Sequence, residues 1–293
     1  MRYAGPTRLP LNASALDGCF APATPGVADA GEPGVTILFC GENLVLDAAP
    51  REPTPLLREL PPELEASEAL LFGRWRGEPV RVRELVREAL PSSRFQREPL
   101  LHLLFTERLS DELLTLAGRA QQLLYWERTS AACSRCGGAQ ERIAGTWGKR
   151  CRACGGERFP QIQPCAVVLV RRRDELLLVR KPGWPAGYYS LPSGFCDFTE
   201  SLEECARREV REETGVEIGD LRYAGSQSWP FPSQLMVGFT ASHTGGGIAV
   251  DRSELEDAAW FAVGAPFRTF SSRALAGWMI EQERARRGPE GAR

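Results

Sequence analysis

The sequence predicts an α/β fold in which a mixed sheet lies between helices, preceded by a four-cysteine ribbon and an α+β N-terminal region. Three observations predict it. Two short apolar runs, residues 165–170 and 175–179, flank the basic turn 171–174 and read as a strand–turn–strand unit. A helix with both termini marked follows: Ser201 with Glu204 three residues on has the form of a capping box, and Gly215 suits a left-handed stop. Upstream, Cys133-x2-Cys136-x14-Cys151-x2-Cys154 forms a paired knuckle pattern.

Taken in order, the chain has three zones with expected boundaries at 1–126, 127–160 and 161–293. The first opens with a Gly/Pro/Ala-rich stretch to about Gly34 and continues through strand-like runs at 35–40, 43–46, 69–72 and 79–82. Residues 111–126 place apolar groups at helical spacing behind the potential cap Ser110. No motif in this zone carries chemistry, so it reads as an α+β scaffold for docking or dimerisation. The third zone holds the strand pair, the capped helix, a polar-aromatic segment at 226–236 and a terminal helix near 273–286. Residues 284–293 read as a frayed tail. There is no repeat at sequence level.

The second zone is the ribbon. Four cysteines among Gly137, Gly138, Gly155 and Gly156 supply four thiolates for a tetrahedral Zn2+, and the glycines permit tight turns around it. Disulfides or a redox CxxC are the competing readings; two copies with knuckle glycines favour zinc. With all four positions filled by protein the ion would be structural.

Of nine cysteines, Cys19, Cys40, Cys165, Cys196 and Cys205 remain; several of them sit in apolar surroundings and read most simply as buried free thiols, and the protein reads as reduced and cytoplasmic. The start MRYAGPTRLPLNAS lacks a continuous apolar segment, and no apolar run approaches a membrane span. A net charge of −2 gives no global field for long nucleic acid. His102 and His243 are isolated and receive no role.

The capped helix carries the chemistry. Glu209 lies one helical turn from Glu212 and Glu213, so three like charges share one patch. That arrangement is unfavourable unless a hard cation sits among them, and Mg2+ and Mn2+ prefer oxygen ligands. A solvated acidic face paired with Arg207, Arg208 and Arg211 is the plainer alternative. Residues 194–216 decide between them, because they fit G-x5-E-x7-R-E-U-x-E-E-x-G-U (U aliphatic) at Gly194, Glu200, Arg208, Glu209, Val210, Glu212, Glu213, Gly215 and Val216. This resembles the Nudix box, the metal-binding loop–helix–loop of hydrolases that split nucleoside diphosphates linked to another moiety. The resemblance implies a Nudix α/β/α sandwich.

About ten residues beyond the box stand Ser226, Gln227, Ser228, Trp229, Pro230, Phe231, Pro232 and Ser233. Trp229 and Phe231 offer flat faces for stacking, Ser226 and Gln227 offer hydrogen bonds, and the prolines stiffen the loop. Box, ribbon and segment together resemble the NADH pyrophosphatase family, whose bacterial members also remove NAD caps from RNA. That family carries SQPWPFPxS at this place. Here Ser228 replaces the first proline and Ser233-Gln234 stands where Gln-Ser is common.

The resemblance implies hydrolysis of NAD(H) to NMN(H) and AMP, with NAD-capped RNA 5′ ends as a further substrate, in a homodimer. It implies Mg2+ or Mn2+ on Glu209, Glu213, the Ser193 carbonyl and Glu254, with Glu212 close by. It places Phe159 and Phe195 beside the nicotinamide, Phe159 standing where relatives have Tyr. Arg208 is expected to orient Glu209 by a bidentate pair. Two other functions compete: a broader dinucleotide or ADP-ribose pyrophosphatase, and a zinc-ribbon nucleic-acid-binding regulator whose Nudix domain senses a ligand. The intact carboxylates argue against the regulator.

Overall fold

The computed structural model describes residues 9–49, 52–61, 64–86, 90, 93–106 and 108–287. The first eight residues and the tail from 288, on which the expectations of a leaderless start and a frayed end partly fall, lie outside the described residues. The chain divides into two compact units. One comprises Pro10–Ile162 with Trp229–Ser233; the other comprises Leu9, Gln163–Ser228 and the residues from Gln234 onward.

In the first unit, strands β1 (Phe20–Pro22), β2 (Val35–Cys40), β3 (Asn43–Asp47), β4 (Leu70–Trp75), β5 (Glu78–Glu84) and β6 (Phe95–Pro99) form one sheet in the order β1-β4-β5-β2-β3-β6. β2 and β5 run parallel and every other neighbouring pair is antiparallel. Ile37, Leu38, Phe39, Leu44, Val45 and Leu46 are completely or almost completely buried. Each such side chain contributes about 1.5–3 kcal/mol relative to exposure.

Helices α1 (Leu100–Phe105) and α2 (Asp111–Thr129) follow. Ser110 caps α2 by accepting from the Leu113 N–H, as its position predicts, and Asp111 and Glu112 occupy the first turn, where the helix dipole favours acid. α2 runs without a break past residue 126, the expected edge of the first zone, and its end is knitted into the ribbon. The Trp126 indole donates to the Trp147 carbonyl at 2.7 Å, and Lys149 meets Glu127 at 2.7 Å. The ribbon itself is a three-stranded sheet of β7 (Gln140–Arg142), β8 (Lys149–Cys151) and β9 (Glu157–Arg158).

The second unit is built on β10 (Gln163–Arg172), whose side chains alternate between two cores. Ala166, Val168 and Val170 enter one cluster with Cys205, Ala206 and Val210; Val167 and Leu169 enter another with Leu275, Met279 and Ile280. A strand buried on both faces needs a helix on each side. These are α3 (Leu202–Thr214) and α4 (Leu275–Arg287). The other strands are β11 (Glu175–Arg180), β12 (Tyr188–Tyr189), β13 (Ser193–Phe195), β14 (Glu217–Trp229), β15 (Gln234–Gly245), β16 (Asp257–Ala262) and β17 (Arg268–Thr269). The main sheet has the order β14-β15-β10-β11-β16, with β13 paired to β10. β10 and β15 are parallel; β11 is antiparallel to both β10 and β16. The mixed sheet between helices is therefore the observed architecture. Among the described residues no helix is long and apolar enough to cross a membrane.

Candidate active site

α3 begins where the sequence says it should. Ser201 Oγ accepts from the Glu204 N–H at 3.2 Å, and the Glu204 carboxylate accepts from the Ser201 N–H at 2.8 Å. It ends at Gly215, φ 72°, whose N–H reaches the Arg211 carbonyl. The face that buries Cys205, Ala206 and Val210 also carries Glu213, which is only 2% exposed.

Burial dominates the state of Glu213, pushing its carboxyl up to about 7 against the pull of Lys181 and the Ser193 N–H. One oxygen, Oε2, accepts from the Ser193 N–H at 3.2 Å. The other, Oε1, is buried without a hydrogen bond and has only the Lys181 ammonium nearby, at 3.4 Å. Glu209 is also raised, first by desolvation and in small part by Glu212 and Glu254. Gly194 is required here: a Cβ on it would fall 2.0 Å from the Glu209 carboxylate. A buried, unsatisfied carboxylate oxygen and a second carboxylate pressed against bare backbone suit a divalent cation with oxygen ligands. The glutamates are nevertheless spread more widely than the four thiols, which are the group of three or more potential ligands drawn within 4.8 Å among the described residues. Cationic side chains account for the spread, since Lys181 draws on Glu213 while Arg208 draws on Glu209 and Glu212. Glu254 is exposed, in the turn after Asp251.

Arg208 departs from its expected pairing. Its fork grips Glu200 through Nε and Nη2, while Nη2 also donates to the Phe195 carbonyl at 2.8 Å. Glu209 receives a single bond from Nη1 at 2.8 Å, and Glu212 another at 2.9 Å. The reason is geometric: Glu200 lies across the loop, where a planar fork can meet both its oxygens, whereas neighbouring Glu209 offers one. The pairing holds the Glu200 carboxyl down to about 2. Arg208 thus ties the loop 195–200 to the helix.

In the ribbon, Cys133 and Cys154 have Sγ atoms 3.8 Å apart, and Cys136 and Cys151 3.5 Å. A tetrahedron of thiolates with Zn–S of about 2.3 Å has edges near 3.8 Å, so the cluster fits zinc. The two knuckles repeat each other. Gly137 and Gly155, at φ 71° and 70°, return their N–H groups to the carbonyls of Cys133 and Cys151. Backbone N–H groups of Arg135 and Cys136 lower the Cys133 thiol, and those of Cys154 and Ala153 lower the Cys151 thiol.

The polar-aromatic segment divides by role. Gln227, expected to offer its amide to a ligand, is completely buried. Its Nε2 donates to the Arg273 carbonyl and its Oε1 accepts from the Leu275 N–H, both at 2.8 Å, so it braces the start of α4. The hydrophobic surroundings of that helix end make an internal partner obligatory. Ser226 accepts from the Tyr223 hydroxyl at 3.2 Å, and Ser228 is half-buried. Trp229 and Phe231 meet edge to face at 5.1 Å, both half-buried. Pro230 is buried beside Gly118 of α2, Pro232 is exposed, and Ser233 donates to the Gln161 carbonyl at 2.8 Å. Phe159 rests an edge of its ring on Gly148 yet remains 50% exposed; Phe195 is 48% exposed.

Sequence reasoning missed Lys181 and the internal use of Gln227. Lys181 stands alone after a strand with no motif around it, and Gln227 lies inside a motif that suggests a ligand.

Residues 161–276 match the Nudix domain model, and residues 33–126 match that of the NADH pyrophosphatase-like rudimentary Nudix domain. The NAD-capped RNA hydrolase NudC of Stutzerimonas stutzeri (strain A1501) is 37% identical over 258 residues, covering 87% of this chain and 91% of that protein. The protein of the same name from Pseudomonas aeruginosa (strain LESB58) is 39% identical over 218 residues, 73% of this chain and 76% of its own. That of Photobacterium profundum is 40% identical over 152 residues, 52% and 57% of the two chains. With both domains in one chain and similarity running through nearly the whole of a curated relative, the protein belongs to the NADH pyrophosphatase-like family of Nudix hydrolases.

Proposed function

We propose that the enzyme hydrolyses the diphosphate bond of NAD(H), releasing NMN(H) and AMP, and that it also removes NAD caps from RNA 5′ ends. The observation that carries the reading is Glu213: a carboxylate buried to 2% exposure with one unsatisfied oxygen, one helical turn from Glu209. A buried charge of that kind persists where a cation answers it. Glu209, Glu213, the Ser193 carbonyl and Glu254 would hold Mg2+ or Mn2+. The cation would neutralise the diphosphate and lower the pKa of the attacking water.

The chain's own groups do the rest. Arg208 positions Glu209 and fixes the loop; Glu212, at the exposed end of the same network, would take a proton. Phe159, Phe195, Trp229 and Phe231 offer ring faces to the base and nicotinamide, with Ser226, Ser228, Pro230, Pro232 and Ser233 shaping the loop. Zn2+ on the four cysteines is structural, and the 1–126 region serves a scaffold or homodimer role in a cytoplasmic enzyme. The names of the relatives and the family of the N-terminal domain support the NAD assignment. Parallel kinetics on NADH, NAD+, ADP-ribose, diadenosine polyphosphates and NAD-capped RNA test it. Comparable kcat/KM on all five would replace it by a broad dinucleotide pyrophosphatase.

A further inference from the structure

We propose that Lys181 is a further substrate-contacting residue, whose ammonium binds a phosphoryl oxygen of the scissile diphosphate. The inference rests on the diphosphatase reading above and adds a residue to it.

Two cationic side chains lie beside the carboxylates, Arg208 and Lys181. Arg208 has five N–H donors. They form two bonds to Glu200 and one each to the Phe195 carbonyl, Glu209 and Glu212, which uses all five. Its guanidinium therefore has nothing left for a phosphate. Lys181 is different. It has three donors, and the described contact is the 3.4 Å approach to Glu213 Oε1, too poorly directed to satisfy that oxygen.

The placement of the residue is fixed while its tip is not. Lys181 directly follows β11, and its neighbour Arg180 pins the next segment by donating to the carbonyls of Trp184, Pro185 and Tyr188. The Lys181 side chain remains 35% exposed, against 2% for Glu213. An ammonium on a flexible four-carbon stem can swing where the buried carboxylate cannot. With Glu213 engaged by a cation, the Lys181 ammonium would be free to turn from that oxygen to the phosphoryl oxygens of a bound diphosphate, which are strong acceptors. The proton stays on Lys181 throughout; one ion pair is exchanged for another.

Lys181→Met keeps the stem and removes the charge; Lys181→Arg restores it. Three measurements separate the roles: Mn2+ binding by electron paramagnetic resonance without substrate, imidodiphosphate binding to the Mn2+-loaded protein by calorimetry, and kcat/KM for NADH. For Lys181→Met we expect Mn2+ affinity equal to or above that of the wild type. Imidodiphosphate affinity and kcat/KM should each fall about tenfold or more, the scale of one charge-assisted hydrogen bond, with partial recovery in Lys181→Arg. Wild-type imidodiphosphate binding in Lys181→Met overturns the proposal, as does a parallel loss of Mn2+ binding, which would make Lys181 a support for the metal site. Failure of the underlying reading shows separately: wild type and Glu213→Gln would bind Mn2+ alike.

Discussion

The two sheets of this chain are built on one plan and differ in what is inserted. Strands β4-β5-β2-β3-β6 of the first unit repeat the order of β14-β15-β10-β11-β16 of the second, and in both a central parallel pair is followed by two antiparallel pairings. Between β11 and β14 the second unit places β13 and the carboxylate helix α3. Between β3 and β4 the first unit has no helix among the described residues. The scaffold is shared and the carboxylate helix is not, so the insert, rather than the sheet, distinguishes the second unit. The first unit instead invests in packing and, through α2, in the ribbon.

The comparison predicts that lesions in the first unit act on folding and lesions in the second on turnover. The largest effect belongs to the ribbon. Cys136→Ser should lose zinc and several kcal/mol of stability, because binding energy in such sites is folding energy. Elemental analysis and thermal unfolding check it, and a wild type free of zinc with its four thiols in disulfides would refute it.

Glu213→Gln should do the reverse, lowering kcat by about two or more orders of magnitude. Glu59→Gln, an exposed acid in the corresponding stretch of the first unit, should change kcat less than about twofold. Without added divalent cation, Glu213→Gln should also stabilise the protein above neutral pH. The folded carboxyl titrates near 7 against an ordinary 4.5, so its protonated form favours the fold below about pH 4.5, and that stability is lost as pH rises through 7. The gap corresponds to about 3 kcal/mol at most. Wild-type unfolding curves at acid and alkaline pH should differ more than those of the variant; equal differences would show that Glu213 is not the group responsible.

Two glycines sharpen the contrast at smaller scale. Gly194→Ala would push a methyl into the Glu209 carboxylate and should cost about tenfold to a hundredfold in kcat with little change in unfolding. Gly73→Ala would push one into the Phe20 ring, 2.3 Å away, and should cost about 1–3 kcal/mol of stability with normal kcat for the folded fraction. If both variants lost stability alone, the division between scaffold and chemistry would fail. Trp229, grouped with the first unit, is the exception to that division: Trp229→Ala should lower kcat/KM for NADH by the equivalent of about 1–3 kcal/mol, the worth of a stacking contact, and affect a diphosphate lacking nicotinamide less. Equal losses on both substrates would make Trp229 a packing residue.

What the sequence revealed follows from the range of the interactions. The caps of α2 and α3, the glycine stop, the β10–β11 hairpin and the knuckles are set by residues within four positions of one another, and each was legible. So was the carboxylate patch, because helical spacing is local. The repeated sheet plan was not, because it resides in pairings such as β2 with β5 that no short pattern records. Lys181 meets Glu213 across 32 residues, and Arg208 prefers Glu200 to its neighbour Glu209 because of where the loop folds. Gln227 was misread for a related reason. Its motif was visible, but its partners, just before and at the start of α4, lie 46 and 48 residues further on.

That buried glutamine has a consequence for protein engineering. Transplanting residues 226–233 into another Nudix scaffold would import a buried amide cut off from the Arg273 carbonyl and the Leu275 N–H that it bonds here. The recipient would misfold locally before its selectivity could be assayed. A productive graft must carry the Arg273–Leu275 corner along with the loop, so the portable unit is a discontinuous pair of segments.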